Sequence, residues 1–280
     1  MTVKIITDSL GDIPAETAKE LDITVIPINV IFGRINYRDG VDLTTEQFYD
    51  KLASSKVFPT TVVPSLGRYA EAYDKVAEGT GDILVITNSR RLSASYDTAL
   101  LAKERMEKKC RVEVVDSLSA VMAQGLQVIA AAQMAKEGAR LDKILEGVRN
   151  NIPRAYSRMS FDTLEYLRRG GRIGKAKTFL GTVLKVNPIL GIRNGEVYPF
   201  AREHSRAKAI DHLYDFADGF DKVDGIAVED ATTPDEAGEL AQRIEARFPG
   251  VPVYRARVSP AVGAHVGPRV LGVAVLGDRD

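Results

Sequence analysis

One cysteine and three histidines stand among the 280 residues of the chain, and neither sign of charge prevails. Each scarcity excludes something. A single cysteine, Cys110, rules out an internal disulfide and a cysteine-rich metal site; it reads as a small apolar residue in or beside a strand. His204, His212 and His265 show no ligand spacing, so no zinc site and no metal is expected. Lys and Arg total 38 and Asp and Glu total 38. Such a balance excludes a general nucleic-acid binder, which needs a basic surface to displace counterions. Long apolar runs are missing too. The stretch "GLQVIAAAQMA" (125–135) is too short, and too interrupted by glutamine, to span a bilayer. No integral membrane association is expected. The opening "MTVKIITDS" reads as a strand rather than a charged leader with an apolar core, so the expected location is cytoplasmic.

What is present is alternation. "VKIIT" (3–7) is a short apolar run, followed by the amphipathic "DIPAETAKEL" with Asp12 and Pro14 as start signals. "ITVIPINVI" (23–31) reads as the second strand and 33–42 as a loop turning at Asp39-Gly40. Thr44 and Gln47 make a capping box for a helix over 45–52. Residues 58–65 read as an extended linker, with Ser65 capping the next helix. "DILVI" (82–86) and "RVEVVD" (111–116) are buried strands. Ser93 caps a helix running to about Lys108, and a long helix ends near Gly138. Continuous apolar strands alternating with helices predict a parallel sheet covered on both faces, an αβα arrangement.

The second half changes rhythm. "AYSRMS" (155–160) leads to a helix over 162–169 and then to "RRGGRIGK". "VNPILGIRNGEVYPF" reads as two strands joined at Asn194-Gly195. A helix (206–217), the strand "GIAVE" and a helix capped by Thr233, Pro234 and Glu236 follow. "VPVYRARV" and "VLGVAVL" close the chain. This half predicts an α+β domain with a mixed or antiparallel sheet. The boundary falls near 153–160, dividing the chain into 1–157 and 158–280.

Ligands in doubly wound sheets bind at the carboxyl ends of the strands. Thr7-Asp8-Ser9, then Thr87, Asn88, Ser89 and Ser93, then Asp116-Ser117 and Ser119, follow three such strands. Together they form a crown of hydroxyls beside helix N-termini that favour an anion. The same residues serve equally as ordinary helix caps, and both readings stand.

His265 lies in "HVGPRVLG" (265–272), beside glycines and just before an apolar run. A phosphate loop, a catalytic base and an arm of an anion clamp all fit that placement. Spacing removes the first: "GGRIGKA" departs from the P-loop pattern and carries Ala176 where the hydroxyl belongs. No G-x-G-x-x-G occurs. A catalytic triad has Ser, His and Asp available but lacks the G-x-S-x-G elbow. Arg168, Arg169 and Arg172 form either a solvated face or a docking patch for an acidic group.

The segments "TDS" (7–9), "PTTVVPS" (59–65), "LSASYDTA" (92–99), "VVDS" with Gln124-Gly125, "YLRRGGRIG" (166–174), "NPIL" (187–190) and "HVGPRVLG" occur in one order. In this the chain resembles the DegV family of bacterial fatty-acid-binding proteins over essentially its whole length. The resemblance implies one long-chain fatty acid held between an N-terminal α/β domain and a C-terminal domain. It implies no activity alone and no cofactor. The carboxylate is presented to a separate fatty acid kinase, which makes an acyl phosphate for phospholipid synthesis. Thr61 and Ser93 look like the hydroxyl donors to the carboxylate, with Ala94 beside them, and His265 like the ring that closes over it. The family prefers Ser-Gln where this chain has Val62-Val63, glycine at Ala94 and Arg269, and lysine at Asn187. Arg172 and Arg202 are candidates for contact with the kinase or the transferring phosphoryl group. The competing reading is a hydrolase or acyltransferase acting on a lipid ester through Ser93 and His265. It requires the serine oxygen within reach of the ring.

Overall fold

Strand β1 (Lys4–Asp8) is apolar on both sides and is sandwiched accordingly. The computed structural model describes residues 2–180 and 186–279. After β1 come α1 (Ala15–Glu20), β2 (Ile23–Ile26), β3 (Asn29–Phe32), β4 (Ile35–Arg38), α2 (Thr45–Ser54) and β5 (Thr60–Val62). Next are α3 (Leu66–Val76), β6 (Asp82–Thr87), α4 (Ser95–Ala102), β7 (Arg111–Asp116), α5 (Val121–Lys136) and α6 (Leu141–Asn151). The second half holds β8 (Ala155–Ser160), α7 (Glu165–Arg169), β9 (Asn187–Arg193), β10 (Glu196–Glu203) and α8 (Arg206–Asp218). It ends with β11 (Lys222–Asp230), α9 (Pro234–Arg247), β12 (Val253–Arg257), α10 (Pro260–Val266) and β13 (Leu271–Asp278).

Three sheets result. The first is parallel, in the order β2-β1-β6-β7. One apolar cluster joins its Ile5, Leu84 and Ile86 to α5 and α6; another joins its Ile6, Ile83 and Val85 to Tyr69 and Tyr73 of α3. Coverage of both faces is what parallel strands require. The second sheet has six strands in the order β10-β9-β8-β13-β11-β12 and is mixed, with only β11 and β12 parallel. Its hairpin turns where the sequence predicts, at Asn194 (φ 52°) and Gly195 (φ 78°). Both central residues of such a two-residue turn need positive φ. The fold is therefore α/β with a parallel N-terminal sheet and a separate mixed C-terminal sheet.

A third, antiparallel sheet, β4-β3-β5, departs from expectation. The run 23–31 is not one strand. Pro27 lies between β2 and β3, and the two pieces join different sheets. The predicted loop 33–42 contains β4, and the predicted linker contains β5, which carries Thr61. Helix α10 is likewise unforeseen. Ser259 caps it by accepting from the Val262 N–H, Pro260 opens it, and Gly267 (φ 77°) ends it.

Caps fared unevenly. Thr44 and Gln47 form the reciprocal box and Ser65 caps α3. Thr233 does not cap α9 with its side chain; its N–H donates to Asp230, and Glu236 pairs instead with Arg206. Asp12 does not start α1. It adopts a left-handed conformation, and its carboxylate accepts the Ser259 N–H at 3.1 Å.

Candidate functional site

The carboxyl ends of β1 and β6 face the inner side of the six-stranded sheet across a cleft. The space within it, open mouth included, is about 830 Å³. Leu10, Ile28 and Val121 form one wall; Met159, Leu190 and Ile192 form the other. The lining is overwhelmingly apolar. Its polar groups are Thr61, Asn88, Ser93, Arg172 and His265, with the Ser157 hydroxyl set into the β8 wall. The Ser157 Oγ is buried without a hydrogen-bond partner among the described residues.

Thr61 on β5 and His265 in the last turn of α10 meet directly, Oγ1 to Nε2, at 2.7 Å. Burial, and then the nearby Arg172 guanidinium, push the ring down to about 4, so it is neutral at ordinary pH. Its Nδ1 is buried and unpartnered among the described residues, pressed against Gly170, where a Cβ would overlap it. Ser93 lies just before α4, whose first-turn cap position is Ala94. The Ser93 Oγ lies 3.0 Å from the Ser95 Oγ and accepts the Ser95 N–H. Ala94 itself is outside the cleft lining.

The segment carrying Ser93 is held from both halves of the molecule. The Asn88 N–H donates to Asp8 at 3.0 Å, and the Ser89 N–H to the Ser119 carbonyl at 2.8 Å. From the other half, the Gly195 carbonyl accepts from the Ser89 hydroxyl at 2.9 Å, and Arg172 donates to the Leu92 carbonyl at 3.1 Å. Asp8 also accepts from the Leu10 N–H and the Gln124 amide. Burial nevertheless raises its carboxyl above the usual range.

The hydroxyl crown is thus divided. The hydroxyls of Thr7, Ser9, Thr87, Ser89 and Ser117 are engaged in the protein's own bonds, as caps and turn residues are, and Ser119 gives its backbone N–H to Ser117. Asn88 and Ser93 reach the cleft. Arg172 lines the cleft, whereas Arg202 on β10 does not: it donates to the Thr178 carbonyl and stacks over Phe179, 4.0 Å from the ring centre. Asp8 and Gln124 were visible in the sequence only as parts of longer segments. Nothing in the sequence marks them as the support beneath Asn88.

A hydrolytic dyad fits this geometry poorly. The hydroxyl on the imidazole belongs to Thr61, and no carboxylate orients Nδ1 among the described residues. A serine–histidine mechanism needs both the nucleophile contact and the orienting group. No cluster of three or more His, Cys, Asp or Glu side chains able to hold a metal occurs among the described residues, and no described helix is long and apolar enough to cross a membrane.

Fold and site define a class: an α/β protein whose two principal sheets enclose an apolar cleft ending in hydroxyl, amide and imidazole groups. The chain belongs to the DegV family, whose model, described as an uncharacterised protein family, matches residues 2–278. It is 34% identical over 279 residues to a DegV domain-containing protein of Streptomyces coelicolor, covering 98% of each. It is 31% identical to Protein DegV of Bacillus subtilis, again over 98% of both chains. Among solved structures it is similar to DegV, a fatty acid binding protein from Bacillus subtilis (TM-score 0.90, 28% identity, 99% and 100% covered). It is similar also to a DegV family protein from Thermus thermophilus described by its fatty acid binding (TM-score 0.87, 28% identity, 99% and 100% covered).

Proposed function

We propose that this protein binds one long-chain fatty acid in the cleft and presents its carboxylate to a separate fatty acid kinase for acyl-phosphate formation, in the cytoplasm. The observation that carries the reading is the polarity of the cleft: apolar walls that end at Thr61, Ser93, Arg172 and His265. A buried carboxylate needs donors and no activated nucleophile. With the proton on Nε2, His265 donates to the Thr61 oxygen, which frees the Thr61 hydroxyl hydrogen for the carboxylate. Ser93 gives a second donor. The acyl chain supplies the affinity: the fifteen apolar carbons of a sixteen-carbon acid, at roughly 0.8 kcal/mol per buried CH₂, amount to about 12 kcal/mol gross, before ordering costs.

On this reading residues 1–157 are the head-group domain and 158–280 the domain closing over the chain. Arg172, which lines the cleft, and Arg202, which lies outside it on β10, serve the kinase encounter, where a transferring phosphoryl group calls for cations. The protein itself transforms nothing and carries no cofactor. Two assays test this together: titration of the delipidated protein with oleate and palmitate, and acyl-phosphate formation with an added fatty acid kinase and ATP. Saturable binding at one site, with product formed only when both proteins are present, is expected. Ester turnover by the isolated protein, abolished in Ser93→Ala, would replace this reading with the hydrolase.

A further inference from the structure

Asn88, Ser157 and His265 line the cleft, and each carries a buried polar atom with no hydrogen-bond partner among the described residues. Two of them belong to the polar end. Asn88 lies on the segment that carries Ser93, and His265 touches Thr61. Ser157 does not belong there. It stands on β8, in the wall that Met159, Leu190 and Ile192 otherwise make apolar.

Strand geometry decides where its side chain points. Successive side chains alternate between the faces of a strand, and Ser157, Met159 and Phe161 all line the cleft. The intervening Arg158 turns to the opposite face, its guanidinium 3.1 Å from the Phe200 ring centre and 4.7 Å from that of Phe216. Beyond β8 the chain stays paired at Phe161, whose N–H donates to the Pro188 carbonyl at 3.1 Å. It then enters α7, whose end, Gly170, abuts the His265 ring. Ser157 is the member of this row farthest along the strand from that end, about 13 Å of extended chain from Phe161.

The wall offers the hydroxyl nothing. Ser157 is 1% exposed. Its register partner on β13 is Ala274, and Met159, next on the same face, is paired with Leu190. Arg158 donates to the Ser157 carbonyl at 2.8 Å and not to the hydroxyl. A plain hydrocarbon chain laid over this oxygen excludes water and returns no hydrogen bond, which costs affinity. An acyl chain with its own hydroxyl at that level returns the bond, since each hydroxyl both donates and accepts.

We propose that Ser157 is a specificity-determining residue, and that the cleft prefers a long-chain fatty acid bearing a hydroxyl group within its acyl chain.

This rests on the fatty-acid reading above and narrows its ligand class. Small size is the rival reason for a serine here, because Gly191, which adjoins the Ser157 carbonyl, also lines the cleft. Alanine keeps the space and removes only the hydroxyl, so it separates the two.

The test is calorimetric titration of the delipidated wild type and Ser157→Ala with stearate, 2-hydroxystearate, 10-hydroxystearate and 12-hydroxystearate. The wild type is expected to bind the 10- or the 12-hydroxy acid about threefold to tenfold more tightly than stearate, as one added hydrogen bond gives. The 2-hydroxy acid, whose hydroxyl adjoins the carboxylate, is expected to gain nothing. In Ser157→Ala the order reverses, because the ligand's hydroxyl is then the unpaired one, and stearate binds at least as tightly as to the wild type. Ser157→Cys, similar in shape but a weak hydrogen-bonding group, is expected to lose the preference too and stands in should Ser157→Ala fail to fold. Equal wild-type affinity for stearate and both mid-chain acids, an equal gain with the 2-hydroxy acid, or a preference kept in the folded variant overturns the proposal and leaves the fatty-acid reading intact. Binding of none of the four acids overturns both.

Discussion

The Thr61 hydroxyl oxygen and the Nε2 atom of His265 lie 2.7 Å apart, although 204 positions separate them in sequence. This contact joins the short antiparallel sheet to α10 at the polar end of the cleft. It fixes which way a hydroxyl proton can point.

Removal of either hydroxyl should weaken fatty-acid binding without unfolding the chain. Thr61→Ala and Ser93→Ala each delete one hydrogen bond to a charged group, worth about 1.5–3 kcal/mol. That corresponds to roughly a tenfold to hundredfold rise in Kd for each. Calorimetric titration with palmitate reads it out. Unchanged affinity in the double variant removes the head-group assignment.

His265 should titrate far below an exposed histidine. Burial, and then Arg172, depress it to about 4. Between that value and the ordinary 6.5 the unfolded chain binds a proton that the folded chain refuses, so stability falls as pH drops through this window. Ring NMR of the ligand-free protein should show a neutral imidazole at pH 5.5. Addition of oleate should shift its midpoint upward, since a carboxylate nearby favours the cation. A midpoint near 6.5 in the ligand-free protein contradicts the described burial.

Gly170 ends α7 with an ordinary helical φ of −72°, so alanine is tolerated by the backbone there. Its Cβ would nevertheless overlap His265 Nδ1. Gly170→Ala should therefore tilt the ring away from Thr61. Overpacking of this kind costs about 1–3 kcal/mol. A melting temperature only modestly lowered, with palmitate affinity reduced, is the expected pair of results. Wild-type affinity would show that the ring's placement does not matter for binding.

Much of this arrangement was legible in the sequence, for identifiable reasons. The parallel strands announce themselves because β1 and β6 are continuous apolar runs, and Asn194-Gly195 names its own turn. Ser93, His265 and Arg172 stand out from their own segments and Thr61 through the resemblance to the DegV family, and the structure brings all four to one cleft. The antiparallel sheet was hidden. β4 is mostly exposed and shows no buried face to give an alternating pattern, and the single apolar run 23–31 conceals the break at Pro27. Helix α10 was hidden by the opposite property: it is buried almost all round, so no polar face marks a helical period. Its Ser-Pro start and Gly267 end were the available signal. The buried placements of Asp12 and Glu229 are not legible in the sequence. Each depends on a backbone donor from the other half, Ser259 and Met122, which lie 247 and 107 positions away.

Arg202 lies outside the cleft, engaged with Thr178 and Phe179, whereas Arg172 supports the Leu92 carbonyl beside Ser93. The two should separate experimentally. Arg202→Ala should leave oleate affinity unchanged and lower acyl-phosphate formation with an added fatty acid kinase, while Arg172→Ala should lower both. Normal kinase-coupled turnover in Arg202→Ala removes that residue from the encounter.

The central claim is that the apolar cleft holds an acyl chain. Solvent extraction of the purified protein, followed by gas chromatography, measures this most directly. The account predicts about one long-chain fatty acid per chain, lost from a variant whose Thr61, Ser93 and His265 are all replaced by alanine. A lipid-free protein that also refuses added oleate and palmitate would contradict it.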